Sequence, residues 1–188
     1  MPKSAKIIGT GSYLPKRQIS NDEMEKLVRN FDYEKASMPF NQWVEKVTGI
    51  KTRYFVEDED TESMAVEAAG KAIQASGIEA NEIDFIIISS FTPTRDIPNL
   101  ACSVGHRLGI EHAGGFPLNT ACAGFIYASS LAHALIRAEI YKNILVISSE
   151  TLSRITDYGD PTTAVLFADG AGAAVLQATE KGGVCGKP

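Results

Sequence analysis

The sequence is poor in the residues that build metal sites and disulfide frameworks. Of its 188 residues, three are cysteines and three are histidines. The cysteines, Cys102, Cys122 and Cys185, lack Cys-x-x-Cys spacing, and no histidine pair has ligand spacing on one helix face. An odd cysteine count without that spacing fits neither a disulfide framework nor a zinc site. We therefore expect no metal centre.

The chain also lacks an excess of basic charge and a long apolar segment. Its formal net charge is -5 and its pI is about 5.2, which argues against a nucleic-acid-binding surface. No apolar run is long enough to span a bilayer, and the first residues lack the hydrophobic region of a signal peptide. These features predict a cytoplasmic protein that has neither nucleic acid nor a membrane as a partner.

Strand-like and helix-like segments alternate along the chain, and hydrophobic residues make up 44% of it, enough for a folded core. Strands are predicted at residues 6–11, 51–56, 83–90, 115–119, 144–149, 163–168 and 173–178. Helices are predicted at residues 21–29, 41–47, 98–108 and 123–140, with another between a cap at Thr61 or Ser63 and a stop at Gly77. This alternation predicts an α/β domain in which helices are layered on a mixed sheet.

Four local patterns add detail to this prediction. Residues 20–23 form a capping box that begins a helix. The apolar run at residues 85–88 is typical of a strand that is buried on both faces and pairs in parallel. Residues 169–172 (DGAG) lack the Gly-Lys-Ser/Thr ending of a phosphate-binding loop, so we interpret them as the turn of a hairpin. The acidic residues 57–60 are interpreted as a solvated loop rather than a metal site.

Cys122 is the residue whose surroundings point most directly to chemistry. It lies between a short apolar segment that ends at Leu118 and a long amphipathic helix that begins near Ala123. A thiol at such a turn faces the positive end of the helix dipole, which favours the nucleophilic thiolate. The small neighbours Ala121, Ala123 and Gly124 leave room for a substrate carbonyl. A buried structural cysteine is the alternative, because most free cysteines are packed in cores.

Several short motifs follow one another in the order in which they occur in one enzyme family. They are residues 9–15 (GTGSYLP), Trp43 with residues 48–50 (TGI), 91–93 (FTP), 98–102 (PNLAC), 118–125 (LNTACAGF), 150–154 (ETLSR) and 166–173 (LFADGAGA). Each motif alone is weak, but the ordered set, from residue 5 to about residue 180, is specific. On these residues the chain resembles the amino-terminal half of beta-ketoacyl-acyl-carrier-protein synthase III, a thiolase-fold enzyme that starts fatty acid synthesis.

The resemblance implies roles for four residues. Cys122 matches the nucleophile that takes an acyl group from coenzyme A, and its backbone N–H matches one donor of an oxyanion hole. Trp43 and Arg154 match the pair that sandwiches the adenine of coenzyme A, since an indole face and a guanidinium plane both stack on a flat base. Ile97 matches a position that reaches across a dimer interface into an acyl pocket. Without the resemblance, Trp43 and Ile97 would be interpreted as core residues and Arg154 as a solvated loop residue.

The resemblance implies no role for the remaining cysteines and histidines. Cys102 is expected to be buried within a helix, and Cys185 to be exposed in the tail. His106 and His133 fall on predicted helices and His112 in a loop, and none of them matches the family's catalytic histidine.

The resemblance also predicts the fold, the domain organisation and the partners. Family members have two similar halves that form one thiolase fold, and residues 1–180 match the half that carries the nucleophile. Residues 181–188 are interpreted as a linker towards the second half, to which the family's catalytic His and Asn belong. We therefore expect a truncated synthase or a separate chain that supplies the second half, because an uncovered apolar face demands a partner. The family dimerises through this half, which implies a homodimer.

Three features depart from the family pattern near the entrance for coenzyme A. They are residues 39–42 (PFNQ), Val47 where an arginine is common, and a longer segment at residues 30–38. These departures leave the primer specificity open.

The implied activity is acyl transfer. Cys122 would be acylated by acetyl-CoA or another short acyl-CoA, and the thioester would condense with malonyl-acyl-carrier-protein and release carbon dioxide. The coenzyme A thioester is a substrate, so neither a cofactor nor a metal is expected. Two alternatives remain open. One is another thiolase-fold enzyme, such as a hydroxymethylglutaryl-CoA synthase or a long-chain acyl condensing enzyme. The other is a non-catalytic half that binds coenzyme A or a protein partner.

Overall fold

The computed structural model describes residues 4–180. Its strands are β1 (Ser4–Tyr13), β2 (Arg17–Ser20), β3 (Thr52–Phe55), β4 (Phe85–Ser89), β5 (Gly114–Leu118), β6 (Asn143–Thr151) and β7 (Asp169–Thr179). Its α-helices are α1 (Asn21–Leu27), α2 (Tyr33–Ala36), α3 (Phe40–Thr48), α4 (Thr61–Ser76), α5 (Leu100–Arg107), α6 (Gly124–Arg137) and α7 (Pro161–Ala164). Short 3-10 turns lie at Ala80–Glu82, Ala121–Ala123 and Leu152–Arg154.

The main sheet is mixed and has the strand order β1-β7-β6-β4-β5. Strand β4 pairs in parallel with β5 and β6, so that Ile87 lies between Phe116 and Val146. Strand β1 pairs antiparallel with β7. A separate two-stranded sheet joins β2 and β3. The predictions of a mixed sheet and of a buried parallel strand at residues 85–88 are confirmed.

The described chain divides into two compact units. The first unit comprises residues 4–13, 60–150 and 170–180, and the second unit comprises residues 14–59 and 151–169. The interpretation of residues 1–180 as one amino-terminal half stays a prediction. The proposed linker at residues 181–188 lies outside the described residues.

Helices cover both faces of the main sheet in the first unit. Alternate side chains of a strand point to opposite faces, so Ile86 and Ile88 enter one core and Ile87 enters the other. The first core packs against α4 and α5, and the second packs against Ala128, Ala132 and other residues of α6. The predicted α/β layering is therefore confirmed.

The glycines of the 9–15 motif allow β1 to approach α4 closely. A Cβ added at Gly9 would lie 2.3 Å from the backbone oxygen of Ala72, and one added at Gly11 would lie 2.2 Å from that of Ala68. Any side chain at these positions would push the helix off the strand. The motif is thus a packing requirement of the fold.

The second unit has its own small core, formed by α1, α3, β2 and β3. Its buried members include Ile19, Met24, Phe40, Val44 and Phe55. The predicted capping box begins α1: Ser20 Oγ accepts the N–H of Glu23, and the Glu23 carboxylate accepts the N–H of Ser20 at 2.9 Å. Helix α3 ends at Gly49, whose φ of 75° is left-handed. Both predicted helices are confirmed, with small differences at their ends.

The start of α4 differs from the prediction. Its N-cap is Asp60 rather than Thr61 or Ser63: the Asp60 carboxylate accepts the N–H of Ser63 at 2.7 Å, and Ser63 Oγ accepts the N–H of Asp60 at 2.8 Å. Burial raises the pKa of Asp60, but these hydrogen bonds outweigh it and hold that pKa below its ordinary value. One residue of the acidic 57–60 stretch is therefore a structural cap.

The predicted hairpin near residues 163–178 is wrong. Pro161 begins α7, which Asp160 caps by accepting the N–H of Thr162 at 2.9 Å. The DGAG segment is not a turn, because β7 runs straight through it and pairs Gly172 with Ser12 of β1. Asp169 at the start of β7 is buried and accepts the backbone N–H of Ser153 at 2.8 Å. A distant strand thus overrides the local turn signal.

Candidate active site

Cys122 lies where the sequence placed it, in a tight turn between β5 and α6. The turn is the 3-10 segment Ala121–Ala123, and the Cys122 thiol is free and exposed. The alternative of a buried structural cysteine is therefore wrong. Ala121, just before it, has a φ of 47°, a left-handed conformation that side chains rarely adopt. Such strain is held by the surrounding fold and is common at functional sites.

The start of α6 has no side-chain cap. Neither Thr120, before the 3-10 turn, nor Ala123, before the helix, supplies a side-chain hydrogen bond to the backbone. The first N–H groups of a helix have no acceptor within the helix, and they carry the positive end of its dipole. The Cys122 turn is therefore suited to a negative atom, either a thiolate or the oxyanion of a tetrahedral intermediate.

Gly124 brings this turn against the end of β4. A Cβ added at Gly124 would lie 1.7 Å from Ser89 Oγ and 2.8 Å from Ser89 Cβ. On the other side of Cys122, the backbone N–H of Ser90 donates to the carbonyl of Leu118 at 3.1 Å. Both ends of the segment that carries Cys122 are thus held by β4 and the residue that follows it.

A half-buried carboxylate at the same edge of the sheet was missed by sequence reasoning. Glu150, near the end of β6, accepts hydrogen bonds from the backbone N–H groups of Phe91 at 3.0 Å and Thr92 at 3.1 Å. It also accepts from Ser90 Oγ at 3.3 Å and from Thr92 Oγ1. Burial raises the pKa of Glu150 although these hydrogen bonds oppose the change. The available signal was a carboxylate directly after the apolar strand at residues 144–149.

Ile97 is 89% exposed, so the interpretation of this residue as core is wrong. It belongs to the loop between β4 and α5, where the Ile97–Pro98 peptide bond is cis. In the same loop Arg95 donates to the buried carboxylate of Glu62 at 2.9 Å. The exposed position leaves Ile97 available for contact with another protein surface, but its role at a dimer interface stays a prediction.

Trp43 lies on α3 at the edge of the second unit's core. Its ring centroid is 5.0 Å from that of Phe31 and 6.2 Å from that of Phe40. The indole also lines a cavity of about 250 Å³, together with Phe31, Lys35, Pro161 and other residues of the second unit. Trp43 therefore packs on the core, as expected of a core residue, and its indole also presents part of its surface to a cavity.

Arg154 ends the 3-10 turn Leu152–Arg154 and is exposed. Its guanidinium donates to the backbone carbonyl of Glu59 at 2.7 Å. Within residues 4–180, the lining of the Trp43 cavity does not include Arg154. The structure does not bring the two side chains together in that cavity, so the adenine sandwich stays a prediction.

The prediction that Cys102 is buried is wrong, since its side chain is exposed on α5. Its backbone N–H donates to Asn99 Oδ1 at 3.0 Å, so α5 has the side-chain cap that α6 lacks. His106 and His133 lie on α5 and α6, and His112 lies in a loop, as predicted. Cys185 lies outside the described residues.

Two further features are absent from residues 4–180. No group of histidine, cysteine, aspartate and glutamate side chains in this part of the chain could hold a metal ion. None of its helices combines the length and the apolar character needed to cross a bilayer.

Comparison with known proteins gives matches that carry the name of one enzyme. The family model for 3-oxoacyl-[acyl-carrier-protein (ACP)] synthase III matches residues 116–186, which include Cys122. The beta-ketoacyl-[acyl-carrier-protein] synthase III of Xanthomonas campestris pv. campestris is 44% identical over 181 residues, covering 96% of this chain and 53% of that protein. The protein of the same name from Neisseria meningitidis serogroup C is 44% identical over 182 residues, covering 96% of this chain and 54% of its own length.

A solved structure matches as well. The crystal structure of 3-oxoacyl-[acyl-carrier-protein] synthase III from Aquifex aeolicus superposes with a TM-score of 0.86 at 39% identity, covering 94% of this chain and 55% of that one. The chain therefore spans about half the length of the curated relatives it matches.

Proposed function

We propose that this chain is the half of an acyltransferase that carries the nucleophile. It matches the amino-terminal half of beta-ketoacyl-[acyl-carrier-protein] synthase III in sequence and in its thiolase-like α/β fold. The observation that carries the proposal is the exposed Cys122 thiol at the uncapped start of α6. The same residue lies inside the segment that the family model matches.

The first step is transfer of an acyl group between two sulfur atoms. The Cys122 thiolate attacks the carbonyl carbon of a short acyl-CoA thioester, and the carbonyl oxygen becomes an oxyanion that the N–H groups at this turn stabilise. The intermediate collapses, the bond from carbon to the coenzyme A sulfur breaks, and coenzyme A leaves as a thiolate that takes a proton from solvent. Cys122 remains as a thioester. This chemistry calls for neither a cofactor nor a metal.

The second unit supplies the proposed contact with coenzyme A. Trp43 presents part of its indole to a cavity of about 250 Å³, which suits a flat base. Arg154 is the proposed second stacking group, and it would exchange its hydrogen bond to the Glu59 carbonyl for that contact. Lys35, which lines the same cavity, carries a positive charge that is favourable for a phosphate-bearing ligand.

The complete reaction condenses the Cys122 thioester with malonyl-acyl-carrier-protein, and we propose that it takes place where a second half supplies the His and Asn of the family. Exposed apolar side chains at the start of α6 support coverage by another protein surface: Phe125, Ile126 and Tyr127 are 37%, 68% and 57% exposed. That second half would come from the same polypeptide or from a separate chain.

We further propose a homodimer, to which the exposed Ile97 would contribute. The proposed compartment is the cytoplasm, since a catalytic thiol has to stay reduced and reducing compartments keep it so.

Mass spectrometry of the intact chain after incubation with acetyl-CoA tests the proposal. We expect an acetyl adduct that is lost in Cys122→Ala and retained in Cys102→Ala, the matched variant of the other exposed thiol. A folded chain that forms no adduct with acetyl-CoA or longer acyl-CoA thioesters contradicts the proposal and favours a non-catalytic half. An adduct that appears only with long acyl-CoA, or condensation of the acyl group onto acetoacetyl-CoA, favours another thiolase-fold enzyme.

A further inference from the structure

The carboxylate of Glu150 has a set of contacts that the proposed acyl transfer does not use. It is half-buried near the end of β6, and among residues 4–180 the hydrogen-bond donors to it belong to three consecutive residues, Ser90, Phe91 and Thr92. Placing a carboxylate away from water is costly unless hydrogen bonds replace its hydration. Both oxygens of Glu150 are occupied: Phe91 donates to Oε1, and Thr92 donates to Oε2. Glu150 therefore holds the turn at residues 90–92 in one conformation.

This turn is continuous with the supports of the Cys122 segment. Ser90, one of the donors to Glu150, also gives its backbone N–H to the Leu118 carbonyl at the end of β5. The residue before it, Ser89, packs against Gly124 so tightly that a Cβ there would lie 1.7 Å from Ser89 Oγ. Leu118 and Gly124 flank the segment that contains Cys122. The contacts thus run without a gap from Glu150, through residues 89–92, to both ends of that segment.

The direction of the strands explains why these groups meet. Strands β4, β5 and β6 are parallel, so their carboxyl ends lie at one edge of the sheet. Residues 90–92 follow β4, the Cys122 turn follows β5, and Glu150 lies near the end of β6. In open α/β sheets this is the edge where ligands bind.

We propose that Glu150 is a positioning residue for Cys122: by fixing residues 90–92, it holds the turn that keeps the thiol at the start of α6. The inference rests on the proposed role of Cys122 as the nucleophile. The N–H groups at the start of α6 stabilise negative charge on the sulfur only while the turn keeps the thiol beside them, so loosening this support lowers the reactivity of Cys122 without removing any atom from it.

Native-state alkylation with iodoacetamide, with each cysteine followed by its own peptide mass, tests the role of Glu150. The variant is Glu150→Gln, which keeps the shape of the side chain but replaces one acceptor oxygen by a donor. The matched control is Asp84→Asn: Asp84 accepts the N–H groups of Lys142 at 2.8 Å and Asn143 at 2.7 Å, at the opposite edge of the same strands. Cys102, exposed on α5, is the internal reference.

We expect Glu150→Gln to lower the Cys122 alkylation rate by about 10-fold, because the thiol is no longer held at the helix start, while the Cys102 rate stays within about twofold. Asp84→Asn should leave both rates unchanged, and Glu150→Asp, which keeps the carboxylate, should recover part of the loss. If Glu150→Gln does not fold, Thr92→Val takes its place, because it removes one donor to Glu150 and keeps the side-chain shape. A smaller decrease in the Cys122 alkylation rate is then expected.

An unchanged Cys122 rate in these folded variants overturns the proposal, and so does an equal change at Cys122 and Cys102, which indicates general loosening. The acetyl-CoA adduct is measured in parallel on the same variants. A wild-type chain that is never acetylated contradicts the proposed function. Even then, the changes in the alkylation rates of Cys122 and Cys102 in the variants still decide the role of Glu150.

Discussion

Gly124 meets Ser89 at a distance that leaves no room for a side chain. A Cβ at Gly124 would lie 1.7 Å from Ser89 Oγ, well inside van der Waals contact. The contact places the first turn of α6 directly against the end of β4, and with it the turn that carries Cys122. Packing at the candidate site thus explains the glycine at position 124 in the motif at residues 118–125.

Replacing Gly124 tests this contact. We expect Gly124→Ala to lower the free energy of unfolding by about 1–3 kcal/mol, as other overpacked core positions do, and to reduce acetylation of Cys122. Urea denaturation and the mass of the acetyl adduct measure the two effects. The matched control is Gly172→Ala in β7, where an added Cβ has no neighbour within 4 Å and should change neither. Equal stability of the two variants contradicts the argument, and Ser89→Gly combined with Gly124→Ala should restore most of the loss.

The two exposed cysteines should differ in reactivity. Cys122 lies at the start of a helix without a side-chain cap, whereas Asn99 caps the helix that carries Cys102. Because uncapped N–H groups and the helix dipole stabilise negative charge that develops on a nearby sulfur, we expect iodoacetamide to label Cys122 several-fold faster than Cys102 at neutral pH. Peptide mass mapping of a time course gives both rates in one sample. Equal rates would remove the main physical reason for treating Cys122 as a nucleophile.

Trp43 is the only tryptophan in the sequence, which makes coenzyme A binding directly measurable. Stacking of adenine on the indole should quench its fluorescence, and Trp43→Ala should weaken binding by about 10-fold in calorimetry, since base–aromatic stacking is worth about 1–3 kcal/mol. Trp43→Phe should retain part of the affinity.

Arg154→Ala separates the two proposed stacking groups. Because Arg154 is exposed and its guanidinium donates to a loop carbonyl, its loss should leave the free energy of unfolding within about 0.5 kcal/mol of wild type. A weaker affinity for coenzyme A then supports the sandwich. An unchanged affinity shows that the guanidinium stays at Glu59 and that Trp43 binds the base without it.

Ile97 offers a test of the proposed dimer. Since its side chain is 89% exposed, Ile97→Asp should leave the unfolding free energy unchanged but weaken self-association in sedimentation equilibrium. Ile155→Asp, at another isoleucine that is 61% exposed, is the control and should leave association as it is. If both variants or neither shift the association constant, Ile97 has no particular place in an interface.

The raised pKa of Glu150 sets a sign for the pH dependence of stability. Burial favours its protonated form in the fold, so the folded chain keeps this proton at pH values where the unfolded chain has lost it. The contribution of Glu150 is therefore fully present below the ordinary pKa of 4.5 and is lost as the pH rises through the higher folded pKa. Urea midpoints between pH 4 and 7 should show this decline in wild type and a smaller one in Glu150→Gln. Parallel pH curves would contradict it.

The features that the sequence determined are those encoded by neighbouring residues. The capping box at Ser20 and Glu23, the helix stop at Gly49 and the apolar run at residues 85–88 each depend on contacts or periodicity within a short window. The turn at Cys122 could be predicted for the same reason, because an apolar strand and an amphipathic helix meet there. The family resemblance rested on motifs of this local kind.

The features that only the tertiary structure decided depend on residues far apart in the chain. The DGAG segment became part of β7 because β1, more than 150 residues earlier, offers it a partner strand. Ile97 is exposed despite its apolar side chain, and Glu150 acquired its role because parallel pairing brings the ends of β4, β5 and β6 to one edge. Local patterns specify which elements form, whereas the neighbours that those elements meet, and hence the surroundings of Cys122, are set by long-range packing.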